Sequence, residues 1–270
     1  RLMVPDTASE EDVARLRQQM GLDKPLFTQY ALFFGRVLRG DFGESFEHRE
    51  PALKVVLEHM PATVELAVSA FLFSIVVGLP LGCIAALKEN TVYDQGLMIG
   101  TVLGQAVPDF WLGLMLILAF SVQLGVLPPF GRGDLSQLVM PTLTAAAFHT
   151  ARLARLMRSE MLEVLRQDYI LTARAKGVPE MAVVFRHGLK NASIPIITVL
   201  GLDLALTLGG TVITETVFAW PGVGRLTVQA VSQRDFPIVQ AAVFLLASAF
   251  VVINLLVDVI YTFVDPRIRY

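Results

Sequence analysis

The chain has 270 residues, of which 54% are hydrophobic and only 17% carry a charge, and its mean hydropathy is +0.60. Soluble domains are about one quarter charged, so this composition excludes a soluble protein and indicates an integral membrane protein. The single cysteine, Cys83, excludes a disulfide framework and a cysteine metal site. The chain contains no Gly-x-x-x-x-Gly-Lys-Ser/Thr loop, so it does not itself bind ATP by that route.

Residues 1–60 are too polar to span a membrane and are predicted to form an external cap of short amphipathic helices. Ser9 and Asp12 form a capping box for the first helix, Pro25 opens a second helix that Gly40 ends, and residues 51–59 predict a third. The cap could gate an outer mouth or receive a binding protein. A packed lid without a specific contact is an equal alternative.

Residues 61–270 are predicted to form a transmembrane domain, which makes the fold class all-α, a polytopic membrane helical bundle. Gly78 and Gly82 in the first span allow close contact with a neighbouring helix, whereas Pro108 and Asp109 interrupt the second. The third helix continues past the membrane to Arg166. The five predicted spans are 61–87, 96–125, 137–157, 193–218 and 239–264.

The polar loops predict the orientation. Basic residues outnumber acidic ones between Arg152 and Lys190, whereas residues 1–60 contain more acids than bases. Because cytoplasmic loops carry the Lys/Arg excess, residues 1–60 are expected outside, and the basic loop and the C-terminus in the cytoplasm.

A polar stretch, 168–191, lies between the third and fourth spans and contains several predicted helix boundaries. A helix is predicted to end at Lys176, with Gly177 as its stop, and Pro179 opens a second, short helix whose first turn contains Glu180. Gly188 is predicted to cap this second helix. Met181, Val184 and Phe185 form an apolar stripe on it, which suits contact with another protein.

The sequences TARAKG and HGLKNA in this stretch resemble the cytoplasmic loop of permease subunits of ATP-binding-cassette (ABC) importers. Leu171 and Thr172 replace the first residues of the general EAA motif, as in the dipeptide, oligopeptide, nickel and glutathione branch. The resemblance implies a type I importer permease whose loop, about 159–191, docks on an ATPase subunit. The residues implied in that coupling are Thr172, Ala173, Arg174, Ala175, Lys176, Gly177, Pro179, Glu180, Met181, Val184, Phe185, Arg186 and His187.

Further segments that resemble dipeptide-type permeases follow in the same order along nearly the whole chain, including RGDFGES, ETVFAWPGVGRL and VDPRIRY. The resemblance implies that a first family span precedes Arg1 and that the chain lies in the bacterial cytoplasmic membrane. It also implies a second permease subunit, two ATPase subunits that carry ATP and magnesium, and an external solute-binding protein. No cofactor or metal on this chain, no enzymatic activity and no nucleic-acid partner are expected.

Ionisable groups inside a membrane usually face the bundle interior or a watery cavity. The residues that could line a translocation path on this ground are Gln105, Asp109, Asp203, Thr207, Thr211 and Glu215. Alternatively, Asp203 pairs with another helix, Glu215 reaches the outer surface, and Asp109 lies at a proline kink solvated by protein. The sequence does not distinguish the two interpretations for Asp203, and it favours the outer membrane interface for Glu215. His149 is read as structural, because no second ligand lies at metal spacing.

The expected function is import of short peptides or peptide-like solutes, driven by ATP hydrolysis on partner subunits. Glutathione or a nickel chelate is an alternative solute within the same family. An ion-coupled secondary transporter, in which Asp203 carries a proton, is a more distant alternative. An intramembrane enzyme is disfavoured because no paired carboxylates, metal spacing or activated nucleophile occur in the spans.

Overall fold

The computed structural model describes residues 24–264, without the side chains of residues 194, 198, 205, 208, 210, 258 and 260–264. The helix predicted to begin at Ser9 lies outside this range. The described part is helical, which confirms the all-α class. Its helices are α1 Leu26–Val37, α2 Ala52–Leu87, α3 Val92–Ala106, α4 Asp109–Leu116 with a π-helical turn Ile117–Gln123, α5 Leu135–Leu165, α6 Asp168–Ala175, α7 Glu180–Ala182 with a π-helical segment Val183–Leu189, α8 Lys190–Gly210, α9 Val212–Val217, α10 Val223–Gln233 and α11 Phe236–Val264.

The centre of the bundle is the long pair α2 and α5, which make the most extensive helix contact among the described residues. Two glycines on α2 permit this approach. A Cβ atom added to Gly78 would lie 3.0 Å from the carbonyl oxygen of Thr150, and one added to Gly82 would overlap the carbonyl oxygen of Ala154. The predicted close contact at Gly78 and Gly82 is therefore confirmed.

The separate helix predicted for residues 51–59 is wrong. Helix α2 runs without a break from Ala52 through Pro61 to Leu87. At 1.5 Å per residue its 36 residues extend for about 54 Å, which exceeds the roughly 30 Å of a bilayer core. The change from polar to apolar residues near residue 60 thus reflects a change of surroundings along one helix and not a helix boundary.

The predicted interruption at Pro108 and Asp109 is confirmed as a sharp bend. Helices α3 and α4 meet there at 105°. Among the described residues, α2 and the Phe236–Val257 part of α11 are long and apolar enough to cross a membrane, and the bent pair would make a third crossing if it is one span. The count of five spans stays a prediction. Helix α5 is more polar because it packs inside the bundle against α2, α3 and α8.

The described residues before α2 pack onto one end of the bundle. Val37 of α1 belongs to an apolar cluster with Val55, Leu226 and Ile238, which joins α1 to α2, α10 and α11. The hydroxyl of Ser45 donates a hydrogen bond to the buried carboxylate of Asp235. Residues 37–45 are therefore attached to the helices by both apolar and polar contacts.

Candidate functional site

The turn at Gly177 is a well-formed helix terminus. The amide of Gly177 donates to the carbonyl of Arg174 at 2.9 Å, and the amide of Val178 donates to the carbonyl of Ala173 at 3.2 Å. This pair of bonds is the Schellman arrangement that ends many helices. Gly177 has φ +75°, a backbone conformation that residues with a Cβ atom adopt at a cost. The predicted stop at Gly177 is confirmed.

An ion pair bridges this turn. The guanidinium of Arg174 donates from Nη2 to Oε1 of Glu180 at 2.6 Å and from Nε to Oε2 at 3.1 Å. These hydrogen bonds lower the pKa of Glu180 below its ordinary value and raise the pKa of Arg174. Both side chains are solvent-exposed, so the pair orients the turn more than it stabilises the fold.

The predicted apolar stripe is divided between two faces. Val184 is buried against α5, in a cluster that includes Met157 and Met161, so its place on a single exposed stripe is wrong. Met181 and Phe185 are exposed by 69% and 55%. Met181 and Phe185 are therefore available for contact with another protein, whereas Val184 attaches the same segment to the bundle.

The predicted helix end at Gly188 is also wrong. The chain is helical from Glu180 through the π-helical segment and α8 to Gly210. Gly188 is buried, and a Cβ atom there would lie 3.2 Å from the Cε methyl of Met161. This glycine thus serves close packing against α5 and not helix termination. One continuous helical segment joins the Gly177 turn to Asp203.

Asp203 lies in a polar cluster between α5 and α8. Its carboxylate is 3% exposed and accepts a hydrogen bond from Nη1 of Arg152 at 2.6 Å. His149 Nδ1 lies 3.7 Å from the same carboxylate oxygen, and His149 Nε2 lies 3.3 Å from the hydroxyl of Thr207. Asp109 is partly buried at the start of α4. The structure thus brings Asp203 and Thr207 together at His149.

Glu215 forms a second, separate cluster. Its carboxylate is fully buried and accepts hydrogen bonds from the hydroxyls of Thr63 at 2.8 Å and Thr211 at 3.0 Å, and from the amide of Arg225 at 2.9 Å. It therefore sits at the N-terminal end of α10, where a negative charge is favourable. The expectation that Glu215 reaches an outer surface is wrong.

Gln105, the remaining predicted path residue, contacts a row of arginines on α5 that the sequence did not single out as a site. Its amide oxygen accepts a hydrogen bond from Nη2 of Arg155. One helical turn further along α5, Arg158 donates from two nitrogens to Asp94, at 2.6 and 2.7 Å. These partners lie 50 and 64 residues apart in the chain, so no local pattern could identify them.

Residues 78–270, more than half of the chain, match the family described as the binding-protein-dependent transport system inner membrane component. The chain belongs to this family. A permease of this family is a multi-pass inner-membrane subunit of an ABC importer that works with an ATPase and a binding protein, and it is not an enzyme. The chain is thus the membrane component of such a system.

Full-length relatives support this membership. The permease is 41% identical to the di/tripeptide transport system permease protein DppB of Pseudomonas aeruginosa, over 95% of this chain and 85% of that protein. It is also 41% identical to the glutathione transport system permease protein GsiC of Salmonella choleraesuis, over 100% of this chain and 88% of that protein. The predicted branch of peptide and glutathione permeases is therefore confirmed.

Solved structures support the fold. The permease is similar to a chain of the inward-facing MetNI methionine ABC transporter with a TM-score of 0.66 and 20% identity, over 78% of this chain and 96% of that one. An amino acid ABC transporter matches with a TM-score of 0.55 and 16% identity, over 80% and 94% of the two chains. The expected type I importer fold is thus confirmed.

Proposed function

We propose that this permease imports short peptides across the bacterial cytoplasmic membrane and that residues 168–189 couple it to an ATPase subunit. The observation that carries the proposal is the exposed Gly177 turn at one end of a continuous helical segment, Glu180 to Gly210, that also contains Asp203. A displacement of the turn would act directly on the polar cluster inside the bundle. The ion-coupled alternative is not favoured, because it needs no such exposed turn.

The docking surface consists of the exposed residues around the turn. Met181 and Phe185 supply apolar contacts, and the Arg174–Glu180 ion pair fixes the turn that presents them. Val184 has a different role, since it attaches the segment to α5. Contact energy usually concentrates in a few large side chains surrounded by polar groups, and the turn has that composition.

The proposed orientation places the Gly177 turn and the C-terminus in the cytoplasm and residues 1–60 outside. It rests on the excess of basic residues between Arg152 and Lys190. The proposed complex contains a second permease subunit, two ATPase subunits that bind ATP and magnesium, and an external solute-binding protein. ATP binding and hydrolysis on the partners would then drive alternating access of the path between the two sides.

The proposed path follows the interior polar groups of the bundle. Asp203 and Thr207 lie beside His149, Asp109 lies at the start of α4, and Gln105 lies on the neighbouring helix α3. Thr211 and Glu215 form the second cluster, next to α10. Peptides carry both an amino group and a carboxylate, so a path that contains paired charges suits them.

The coupling surface can be tested by photo-crosslinking in the assembled importer. A photoreactive phenylalanine analogue at Phe185, which is 55% exposed, is expected to form an adduct with the ATPase subunit. Phe130 is a matched control, because it is 53% exposed in the loop before α5, on the opposite side in the proposed orientation. An ATPase adduct from Phe130 but not from Phe185 would refute the proposed docking surface.

Glutathione is the second candidate solute, because a glutathione permease matches this chain over its full length at 41% identity. Uptake of labelled dipeptide, tripeptide and glutathione into the same proteoliposomes, each with the loaded binding protein, separates the candidates. Import of a di- or tripeptide is expected. Import of glutathione alone would replace the proposed solute while leaving the coupling proposal intact.

A further inference from the structure

We infer that a cleft between α3, α5 and α8 binds the carboxylate of the solute on its way out of the path. The cleft has a volume of about 540 Å³, and its lining includes Met98, Arg152, Arg155, Arg158, Ser159 and Val199. Small-molecule sites commonly have volumes of about 300–1,000 Å³. The identity of the solute rests on the proposed function, whereas the preference for an anion rests on the geometry of the cleft.

The three arginines form a ladder along one helix. They are spaced three residues apart on α5, which separates successive guanidinium attachment points by about 4.5 Å along the helix axis. Arg152, at one end, pairs with Asp203 of the buried cluster, and Arg158, at the other, pairs with Asp94 at the start of α3. The ladder therefore leads from the interior cluster towards the end of α5 that adjoins the Gly177 turn.

Such a ladder does not face lipid. A guanidinium in hydrocarbon is costly, and arginines inside membranes therefore face protein or water. Arg152 and Arg158 retain 35% and 24% side-chain exposure, and Arg155 is exposed. A cleft that three partly exposed guanidiniums line thus fits a water-filled part of the permease.

The charges of the cleft do not cancel. Arg152 has the carboxylate of Asp203, and Arg158 has that of Asp94. Glu89 also acts on Arg158 but pairs with Arg166 at 2.6 Å. Arg155 has no carboxylate within 4.0 Å in the described part of the chain and binds the neutral amide of Gln105. Two of the three guanidiniums that line the cleft are therefore paired with carboxylates, and Arg155 is the lining arginine without one among the described residues, which leaves an excess positive charge there.

A carboxylate is the ligand that this arrangement suits. The planar guanidinium of arginine binds a carboxylate through two parallel hydrogen bonds, and charged acceptors bind it more strongly than neutral amides do. An incoming carboxylate can therefore displace Gln105 from Arg155. Met98 and Val199 supply apolar wall for an adjoining side chain. A peptide C-terminus has both of these parts.

The excess charge can be measured with a cysteine in the cleft of the assembled importer. Ser159→Cys, in a Cys83→Ala background, places a thiol at an exposed position in the lining. We expect the rate ratio of a negatively charged to a positively charged methanethiosulfonate reagent of similar size to be roughly 3-fold higher at Ser159→Cys than at the control position. Gln167→Cys, exposed just beyond α5, is the control for general reactivity. Arg155→Gln should reduce the preference to that of the control, and an unchanged preference would overturn the inference.

The source of the anion is tested on the same cysteine, in vesicles with the cytoplasmic side outward. A tripeptide with a free C-terminus should protect Ser159→Cys, whereas the same tripeptide with an amidated C-terminus should not. Equal protection by both would overturn recognition of the carboxylate. Protection by phosphatidylglycerol without peptide, or by inorganic phosphate alone, would overturn a solute site in favour of a lipid headgroup or a free anion. Failure of the proposed function appears separately, as absent peptide uptake with the charge preference intact.

Discussion

The guanidinium of Arg152 donates a hydrogen bond from Nη1 to Oδ1 of Asp203 at 2.6 Å, and this ion pair joins α5 to α8. Asp203 is 3% exposed, whereas the Arg152 side chain is 35% exposed. The pair therefore lies between the packed interior of the bundle and the arginine cleft. It connects the helical segment that ends at the Gly177 turn to the central helix α5.

This ion pair predicts coupled effects of substitution. Asp203→Asn leaves Arg152 without its carboxylate, so we expect the free energy of unfolding of the complex to fall by about 1–3 kcal/mol. The double variant with Arg152→Gln should lose less stability than the sum of the losses in the two single variants. Thermal denaturation of the purified complex measures these losses. Glu65→Gln is the control, because it removes a more exposed pair with Arg132, where a loss of about 0–1 kcal/mol is expected. Additive effects at Asp203 and Arg152 would contradict the pairing.

The buried carboxylate of Glu215 predicts a steric effect at Gly224. A Cβ atom at Gly224 would lie 2.9 Å from Glu215 Oε2 and 2.8 Å from Cα of Val212, so Gly224→Ala should destabilise the protein by roughly 1–3 kcal/mol. Gly100→Ala is the control, because Gly100 is also helical but has no atom within 4 Å of the added methyl group. Chemical denaturation should leave the control variant unchanged or slightly more stable. Equal losses in the two variants would refute the close packing around Glu215.

The Arg174–Glu180 pair predicts a pH dependence of the turn. Because Arg174 lowers the pKa of Glu180, the pair contributes fully above 4.5, the ordinary pKa of the carboxyl, and its contribution is lost as the pH falls through the lowered value. Hydrogen-exchange protection of the Gly177 and Val178 amides, corrected for intrinsic rates, should fall in that acidic range. The fall should be absent in Glu180→Gln. An identical pH profile in this variant would show that the ion pair does not order the turn.

The orientation predicts which cysteines an impermeant external reagent can reach. In a Cys83→Ala background, cysteines at the exposed positions Glu47 and Arg132 should react from outside intact cells, and one at Glu180 should react only after the membrane is opened. Ser45 is unsuitable for this purpose, because it is buried against Asp235. Labelling of the Glu180 cysteine from outside intact cells would contradict the proposed orientation.

Local chemistry explains which features the sequence could predict. Gly177 is a helix stop because its own backbone conformation and two nearby carbonyls define the turn, and the sequence therefore revealed it. The same reasoning failed at Gly188 and Val184, because both are placed by Met161 of α5, more than twenty residues away. Helical spacing indicates which residues share a face, but it does not indicate which face another helix covers.

Polar partners were harder still to predict. The composition of α8 and α9 marked Asp203 and Glu215 as notable, yet Arg152 and Thr63, their partners, lie 51 and 152 residues away in sequence. The arginines of α5 resembled an ordinary cytoplasmic basic cluster, and only the fold places Arg152 and Arg155 beside α8 and α3. The identity of the polar residues was therefore predictable, whereas their grouping required tertiary contacts.

The central claim, that the Gly177 turn transmits the action of the ATPase, is tested most directly by solute-stimulated ATP hydrolysis in Gly177→Val. Gly125→Val is the matched control, because Gly125 also has a positive φ, of +63°, and no atom within 4 Å of an added Cβ, but lies after α4, away from the turn. Both substitutions impose backbone strain of about 1–3 kcal/mol. We predict that Gly177→Val assembles and retains basal ATP hydrolysis but loses most stimulation by the loaded binding protein and most uptake, while Gly125→Val retains both. Normal stimulation and uptake in an assembled Gly177→Val complex would contradict the claim.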